Sequence, residues 1–518
     1  MASMVINELK QLSTIAFPMI LTNLLLYGRS AISMLFMGQL GKLALAGGSL
    51  SIGFANITGF SILSGLSSGL EPISSQAYGA RRWHLLGLAF QRTVSILTAA
   101  TLTISLLWFH SGYILRLCGQ DPAIAAVSSS YLLFSIPVLF LQSFITPMKI
   151  YLRTQNITAP LTIAAALALA LHAPINFILV HHLRLGVRGV ALATFFSDAN
   201  FLIFIIIYLA ITGLHRKTWP GWSLSQSFTE WRPILKLAVP SCISVCLEWW
   251  WYELMIVFSG LLSNAPDAVA AMGILIQTTS LVYIFPSALS LAVSTRVGNE
   301  LGAGRPDRAR AATRVALLLA VATGAAAAGF TVSARHTWGR AFTGDNAVVA
   351  LTAAALPVLG LCELGNCPQT TGCGALRGSA RPVLGANINL GAFYGVGMPV
   401  AMVLGFVMDM GLVGMWMGLV AAQGTCAFLM SYVLMRTDWC LEAKRARELI
   451  SSENCACVIG EDDDDNDDDD DDDDDSCSSI SSSGSSGSSR TSSSSVLTDK
   501  GREAREETEA LISVKILE

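Results

Sequence analysis

Charge is scarce in this sequence. Only 14% of its 518 residues are Asp, Glu, Lys or Arg, while 53% are hydrophobic. That balance excludes a soluble globular protein of this length and points to a chain that crosses a membrane many times. Cysteine is present but unorganised: the eleven cysteines form no C-x-x-C pair and no regular spacing, which argues against a zinc framework or a secreted disulfide scaffold and leaves individually placed, reduced thiols. Histidine is rare, seven in all, and only His172, four residues before Asn176, sits where an integral-membrane acyltransferase would need a mid-span base; packing is its favoured role. No glycine-rich phosphate loop, nucleotide motif or metal-ligand cluster is present, so neither ATP-driven pumping nor a resident cofactor or metal is expected, and no nucleic-acid partner. A cleavable signal peptide is not visible either, and the first span would serve as the insertion signal.

What charge there is has a pattern. Acids outnumber bases 37 to 33 for a net −4, but residues 461–475 alone hold fourteen acids, so the remainder carries about +10 (−4 plus 14). Apolar runs long enough to span a bilayer number twelve, at 12–37, 44–74, 86–110, 125–149, 160–181, 187–213, 233–262, 268–297, 311–334, 347–373, 382–408 and 412–436. An even number places both termini on one side. Arg81, Arg82, Lys149, Arg153, Arg216, Lys217, Arg305, Arg308, Arg310, Arg377, Arg381 and the cluster at 444–447 fall on that side, which the positive-inside rule assigns to the cytosol.

The two halves repeat at an offset of about 222–225 residues. Pro18 answers Pro240 and Gly38 answers Gly260; Gln76-Ala77-Tyr78-Gly79-Ala80 answers Asn299-Glu300-Leu301-Gly302-Ala303; Leu152-Arg153 answers Leu376-Arg377; Gly189 answers Gly414. The expected fold class is therefore an all-α polytopic membrane protein of two six-helix lobes related by a pseudo-two-fold axis along the membrane normal. The expected organisation is an N-terminal lobe at 1–213, a cytosolic linker at 214–231 containing Trp219-Pro220-Gly221, a C-terminal lobe at 232–436, and a disordered acidic and Ser-rich cytosolic tail at 437–518. Within the tail, Glu507, Leu511 and Ile512 fit an acidic dileucine sorting pattern that a sorting adaptor would read, favouring a late endosomal or vacuolar membrane, with the plasma membrane as the alternative.

Few acids lie within the spans. Glu248 and Glu253 flank Trp249-Trp250-Trp251-Tyr252 in the seventh, and Glu363 lies in the tenth. Leaving water strongly disfavours a charged carboxylate, so such groups must be protonated or paired. Almost no basic residue besides Arg29 is expected mid-span to pair with any of the three, which makes them candidates for reversible proton carriage. On a helix Glu248 and Glu253 lie about 140° apart, so they are not expected to point into one cavity. Tyr252, Gln277 and Tyr283 are candidates to bind a cationic or amphipathic solute. Glu71 and Asp198 form a possible polar site in the N-terminal lobe. Glu300, beside Arg296 and Arg305, reads as an ion-pair residue at a helix end.

Together Glu248-Trp249-Trp250-Trp251-Tyr252-Glu253, Gln76-Ala77-Tyr78-Gly79-Ala80, the run from Ser294 to Gly304 and Ala375-Leu376-Arg377-Gly378-Ser379 resemble the multidrug and toxic compound extrusion family, in its plant DETOXIFICATION branch, over about residues 10–436. The resemblance implies alternating access between two six-helix lobes, no enzymatic activity, and monomeric, proton-coupled efflux of small organic solutes across a lipid bilayer, powered by a proton gradient. It assigns the proton-linked acids to Glu248, Glu253 and Glu363. One departure matters: some bacterial relatives carry an aspartate where this chain has Ser33, so the first helix is not expected to couple protons. A lipid-linked flippase of the same architecture is the alternative transporter, and it would be expected to line its cavity with arginines.

Overall fold

A computed structural model of the chain describes residues 2–457 apart from 220, 222, 223 and 229. The acidic run, the Ser-rich stretch and the sorting pattern at Glu507, Leu511 and Ile512 lie outside the described residues, as does part of the linker. Among the described residues twelve helices are long and apolar enough to cross a membrane: α1 Met4–Gln39, α2 Lys42–Gly79, α3 Trp83–Phe109, α4 Pro122–Thr154, α5 Ala159–His182, α6 Val187–Thr212, α7 Trp231–Ser259, α8 Ala265–Gly302, α9 Pro306–Ala334, α10 Asn346–Gly378, α11 Pro382–Val407 and α12 Gly411–Arg436. The described residues form no strand.

Helix ends follow local chemistry. Asp121 accepts from the backbone N–H groups of Ala123 and Ile124 ahead of Pro122, and Asp345 accepts from that of Ala347, so α4 and α10 both start on a side-chain cap. Gly213 ends α6 in the left-handed conformation at φ 64°, which a glycine enters without a Cβ penalty. Several helices outrun their apolar cores. At 38 residues each, α2 and α8 reach roughly 57 Å at ~1.5 Å per residue, about twice the ~30 Å hydrocarbon thickness. Their last turns are polar and glycine-containing because they pack against each other rather than against lipid.

In the first half α4 packs against α2, α3 and α6, with α5 between α1 and α6; in the second, α10 packs against α8, α9 and α12, with α11 between α7 and α12. The halves meet where α2 lies on α7 and α8, and where α1 lies on α8 and α9. The seam between α2 and α8 reads the same from both sides. A Cβ on Gly79 would sit 2.0 Å from the carbonyl oxygen of Asn299, and one on Gly302 would sit 2.0 Å from that of Gln76. Gln76 Nε2 donates to the Gly378 carbonyl at 3.0 Å, while its repeat counterpart Asn299 donates through Nδ2 to the Thr154 carbonyl at 3.2 Å. Each contact and its partner are exchanged by the sequence offset, the signature of an approximate two-fold relationship between equivalent helices.

One element differs from the sequence reading. Residues 439–457, expected within a disordered tail, begin instead with a helix, α13 Trp439–Cys457. It lies against α8 and α9, burying Trp439, Ala443, Ala446 and Ile450 on one face; an i, i+4, i+7, i+11 spacing is enough to build that face. Glu442, also buried, pairs with Arg381 at 3.5 Å and Arg445 at 2.9 Å, and burial holds the Arg381 guanidinium below its usual value against the opposing pull of Glu442. Like α5 and α11, α2 carries a π-turn, at Asn56–Phe60, a distortion common at functional sites. The Ile57 carbonyl within it accepts from Trp250 Nε1 of α7 at 3.2 Å, a hydrogen bond between the two halves.

Candidate functional site

Three cavities adjoin inside the bundle, and Trp249 lines all of them. The first, about 410 Å³, is walled mainly by the N-terminal half and includes Arg29, Asn56, Gln142, Lys149 and Asp198. The second, about 300 Å³, is lined by Glu248, Trp250, Tyr252, Glu253 and Tyr283, with Asn56 and Ile57 opposite. The third, also about 300 Å³, lies between the halves and includes Glu71, Lys149, Arg153, Glu248 and Arg377.

Glu363 is 1% exposed and every partner it has is neutral. Thr279 of α8 donates to Oε1 at 2.5 Å, and Asn366, one turn along α10, donates to Oε2 at 2.9 Å. Asn366 in turn accepts from Gln423 of α12 and from Thr370, each at 3.3 Å. Glu248 is also buried, with Gln369 and Tyr283 as its polar neighbours and the Arg377 guanidinium acting on it from beyond ion-pair distance across the third cavity. Among the described residues Glu248, Glu253 and Glu363 have no ion pair. Without a directly paired cation, such carboxyls keep most of the desolvation cost of a charge.

The structure corrects the expected divergence of Glu248 and Glu253. Both line the second cavity together with Trp249, Trp250 and Tyr252. These residues cover about half the circumference of α7 at ~100° per residue, so the cavity wraps around the helix and meets both carboxyls. Glu253 reaches across to the N-terminal half, where a Cβ on Gly53 would lie 3.3 Å from its Oε2. Tyr252 and Tyr283 line this cavity, and Gln277 does not join them. Its Oε1 accepts from Tyr27 of α1 at 3.0 Å, which makes it a link between the halves.

Glu71 and Asp198 do not form one site. Asp198 is paired with Arg29 and accepts from Gln142 at 2.8 Å in the first cavity. Glu71 is 3% exposed and holds Arg153 of its own half at 2.8 Å and Arg377 of the other half at 3.4 Å, with Ser294 donating to Oε2 at 2.7 Å. Glu300 is the ion-pair residue the spacing predicts, flanked by Arg296 and by Arg305 at 2.6 Å; Arg296 also reaches Glu8 at 2.8 Å. His172 is fully buried, with Nε2 2.9 Å from Ser33 Oγ and 3.0 Å from Asn176 Nδ2.

The residues missed in the sequence are Lys149, Arg153 and Arg377, assigned there to a loop-side face. All three line internal cavities because α4 and α10, 33 residues each, continue past their apolar runs. The matched pair Leu152-Arg153 and Leu376-Arg377 was the available signal: an arginine held at equivalent positions in both halves marks the seam.

Twelve apolar helices in two quasi-equivalent sets, with polar cavities and buried carboxyls at their junction, define an integral, multi-pass membrane protein built as a two-lobe transporter. Comparison with known proteins makes this specific. The family described as MatE matches residues 18–178 and 240–403, and the chain belongs to that family. It is 56% identical over 459 residues to Protein DETOXIFICATION 49 of Arabidopsis thaliana, spanning 88% of this chain and 91% of that protein. It is 55% identical over 446 residues to Protein DETOXIFICATION 48 of the same plant, spanning 86% and 84%. Among solved structures, the eukaryotic MATE transporter AtDTX14 superposes with a TM-score of 0.83 at 31% identity, covering 86% of this chain and all of that one. An outward-facing multidrug resistance MATE family transporter of the MOP superfamily shares the fold, with a TM-score of 0.73 at 16% identity over 86% of this chain and 96% of that one. These relatives make the protein a transporter and not an enzyme, and neither the flippase nor the acyltransferase reading is favoured.

Proposed function

We propose that the protein exports small organic solutes by alternating access, in exchange for protons carried by Glu248, Glu253 and Glu363. The observation that carries this reading is Glu363: a buried carboxyl in the C-terminal half whose partners, Thr279 and Asn366, are both neutral. Protonation there removes the charge that those two donors are oriented around, and the local packing of α8, α10 and α12 changes with it. Glu248 and Glu253 stand at the wall of the adjoining cavity, where the same neutralisation alters what the cavity binds. Glu71 and Asp198, held by arginines, position helices instead of carrying protons. No bound cofactor is called for; the proton gradient supplies the energy.

The reading places both termini in the cytosol and the protein, as a monomer, in a late endosomal or vacuolar membrane, with the plasma membrane as the alternative. The address would be read by a sorting adaptor at Glu507, Leu511 and Ile512. Efflux of xenobiotics is the role consistent with relatives named for detoxification.

The test is reconstitution into liposomes with an imposed pH gradient and a panel of organic solutes. Gradient-driven movement in the wild type that is lost in Glu363→Gln supports the proposal. Undiminished proton-driven transport by Glu363→Gln, or transport that follows a sodium gradient and ignores pH, overturns it.

A further inference from the structure

The proposed function leaves the solute's charge open, and the cavities bear on it. The first and third share Lys149 and Trp249, and their walls hold four cationic side chains, Arg29, Lys149, Arg153 and Arg377, against three carboxyls, Asp198, Glu71 and Glu248. Three of the cations are committed: Arg29 to Asp198, and Arg153 and Arg377 to Glu71. Lys149 is not. Among the described residues it makes no ion pair and no hydrogen bond: Asp198, which attracts it across the first cavity, is already bound by Arg29 and Gln142, and the Lys149 ammonium stands over the Phe201 ring at 5.2 Å while lining both cavities. With two cations, Arg29 and Lys149, sharing the one carboxylate of Asp198 on this wall, the ammonium is compensated only in part; holding it away from bulk water is costly, and a bound anion lowers that cost. Protonating Glu248 makes the same cleft more positive still.

From this geometry we infer that the transported solute is an organic anion, an amphipathic carboxylate whose charged end is held by Lys149 and whose apolar body lies along Trp249. The inference rests on the exchanger reading above and adds the substrate class to it. It divides the labour between the halves: the anion is recognised on the α4 side, while protons load at carboxyls on α7 and α10. It also has an electrical consequence. An anion moving one way and a proton moving the other transfer charge in the same sense, so the two movements add and transport is driven by membrane potential as well as by pH. One-for-one exchange of a monovalent cation with a proton moves no net charge.

Two measurements separate this inference from the reading beneath it. The first is binding to the purified, full-length protein, with benzoate and phthalate as carboxylates and tetraethylammonium and ethidium as cations. The expected result is saturable carboxylate binding that weakens about tenfold or more in Lys149→Met, as loss of a charge-assisted hydrogen bond requires. Lys149→Arg should retain most of it, and Lys149→Glu should bind cations instead. The second is gradient-driven uptake of the same compounds in liposomes, with and without a potassium diffusion potential. Carboxylate uptake accelerated by the potential is expected. Binding of carboxylates that is unchanged in Lys149→Met, or binding of cations alone by the wild type, overturns the inference even where proton-driven exchange is intact. Carboxylate binding that depends on Lys149 in a protein showing no proton-driven uptake leaves the inference standing and removes the coupling proposal. Thermal unfolding and elution volume matching the wild type qualify each variant, and Lys149→Arg carries the comparison if Lys149→Met does not fold.

Discussion

Ser294 donates its hydroxyl to Glu71 Oε2 at 2.7 Å, and the two residues stand at equivalent positions of the two repeats, 223 residues apart. The arginines around them are also equivalent, Arg153 from one half and Arg377 from the other. One carboxyl, present in a single copy, thus holds a cation from each lobe at the seam. Removing one member of a buried ion group leaves the others uncompensated, at a cost of about 3–5 kcal/mol. Glu71→Gln is expected to lower the thermal unfolding temperature and to loosen the seam, so that a cysteine introduced at Ser75 becomes reactive toward a soluble maleimide. Unchanged reactivity and stability would show that the ion group does not hold the lobes together.

The glycines beside this group provide a steric test. Gly79→Ala places a methyl group 2.0 Å from the Asn299 carbonyl oxygen, and Gly302→Ala does the same against Gln76. Neither backbone can yield without parting α2 from α8, and overpacking of this kind costs about 1–3 kcal/mol or more. Both variants should lose stability and transport together. Gly273→Ala, also on α8 but with nothing within 4 Å of its added Cβ, should be neutral or gain up to about 1 kcal/mol. Thermal unfolding of the three proteins side by side decides the point.

Thr279 is the test of the carboxyl's surroundings. Its hydroxyl lies 2.5 Å from Glu363 Oε1, and in Thr279→Val that bond is lost with little change of shape. A hydrogen bond to a charged group contributes about 1.5–3 kcal/mol, so the variant should slow proton-driven exchange by about tenfold or more and displace its pH profile, while Thr279→Ser should keep both near wild type. A profile that stays in place in Thr279→Val would separate Glu363 from the coupling.

Helix α13 is expected to be part of the folded body. Trp439→Ala removes a side chain that is 5% exposed, and truncations of buried aromatics cost about 3–5 kcal/mol. Its unfolding temperature should fall by several degrees, whereas Cys440→Ala, at an exposed position on the same turn, should leave it in place.

Much of the fold was legible because the bilayer imposes a length on apolar runs, and twelve such runs were found where twelve helices stand. The helix ends were less legible. Hydropathy stops where polar residues begin, but α2, α4, α8 and α10 continue through polar turns that satisfy one another across the seam, so Lys149, Arg153 and Arg377 read as loop-side charges when they line cavities. Trp439, Ala443, Ala446 and Ile450 carried the signal for α13 in their spacing, obscured by the charged residues among them. Glu363 could be picked out from the sequence because a carboxyl in an apolar run has few explanations. Gln277 could not be placed, since its link to Tyr27 depends on the approach of α1 to α8, which no local pattern encodes.

The exchanged contacts of Gly79 and Gly302 have an evolutionary consequence. Where one repeat's backbone is the surface against which the other's glycine fits, neither copy is free to acquire a side chain alone, and the two segments are bound to change together or not at all. Away from that seam the two halves differ: the N-terminal half sets Lys149 on a cavity wall, and the C-terminal half buries Glu363 among neutral partners. What the repeats still share is a backbone-to-backbone fit, and what sets them apart is the charge each presents beyond it.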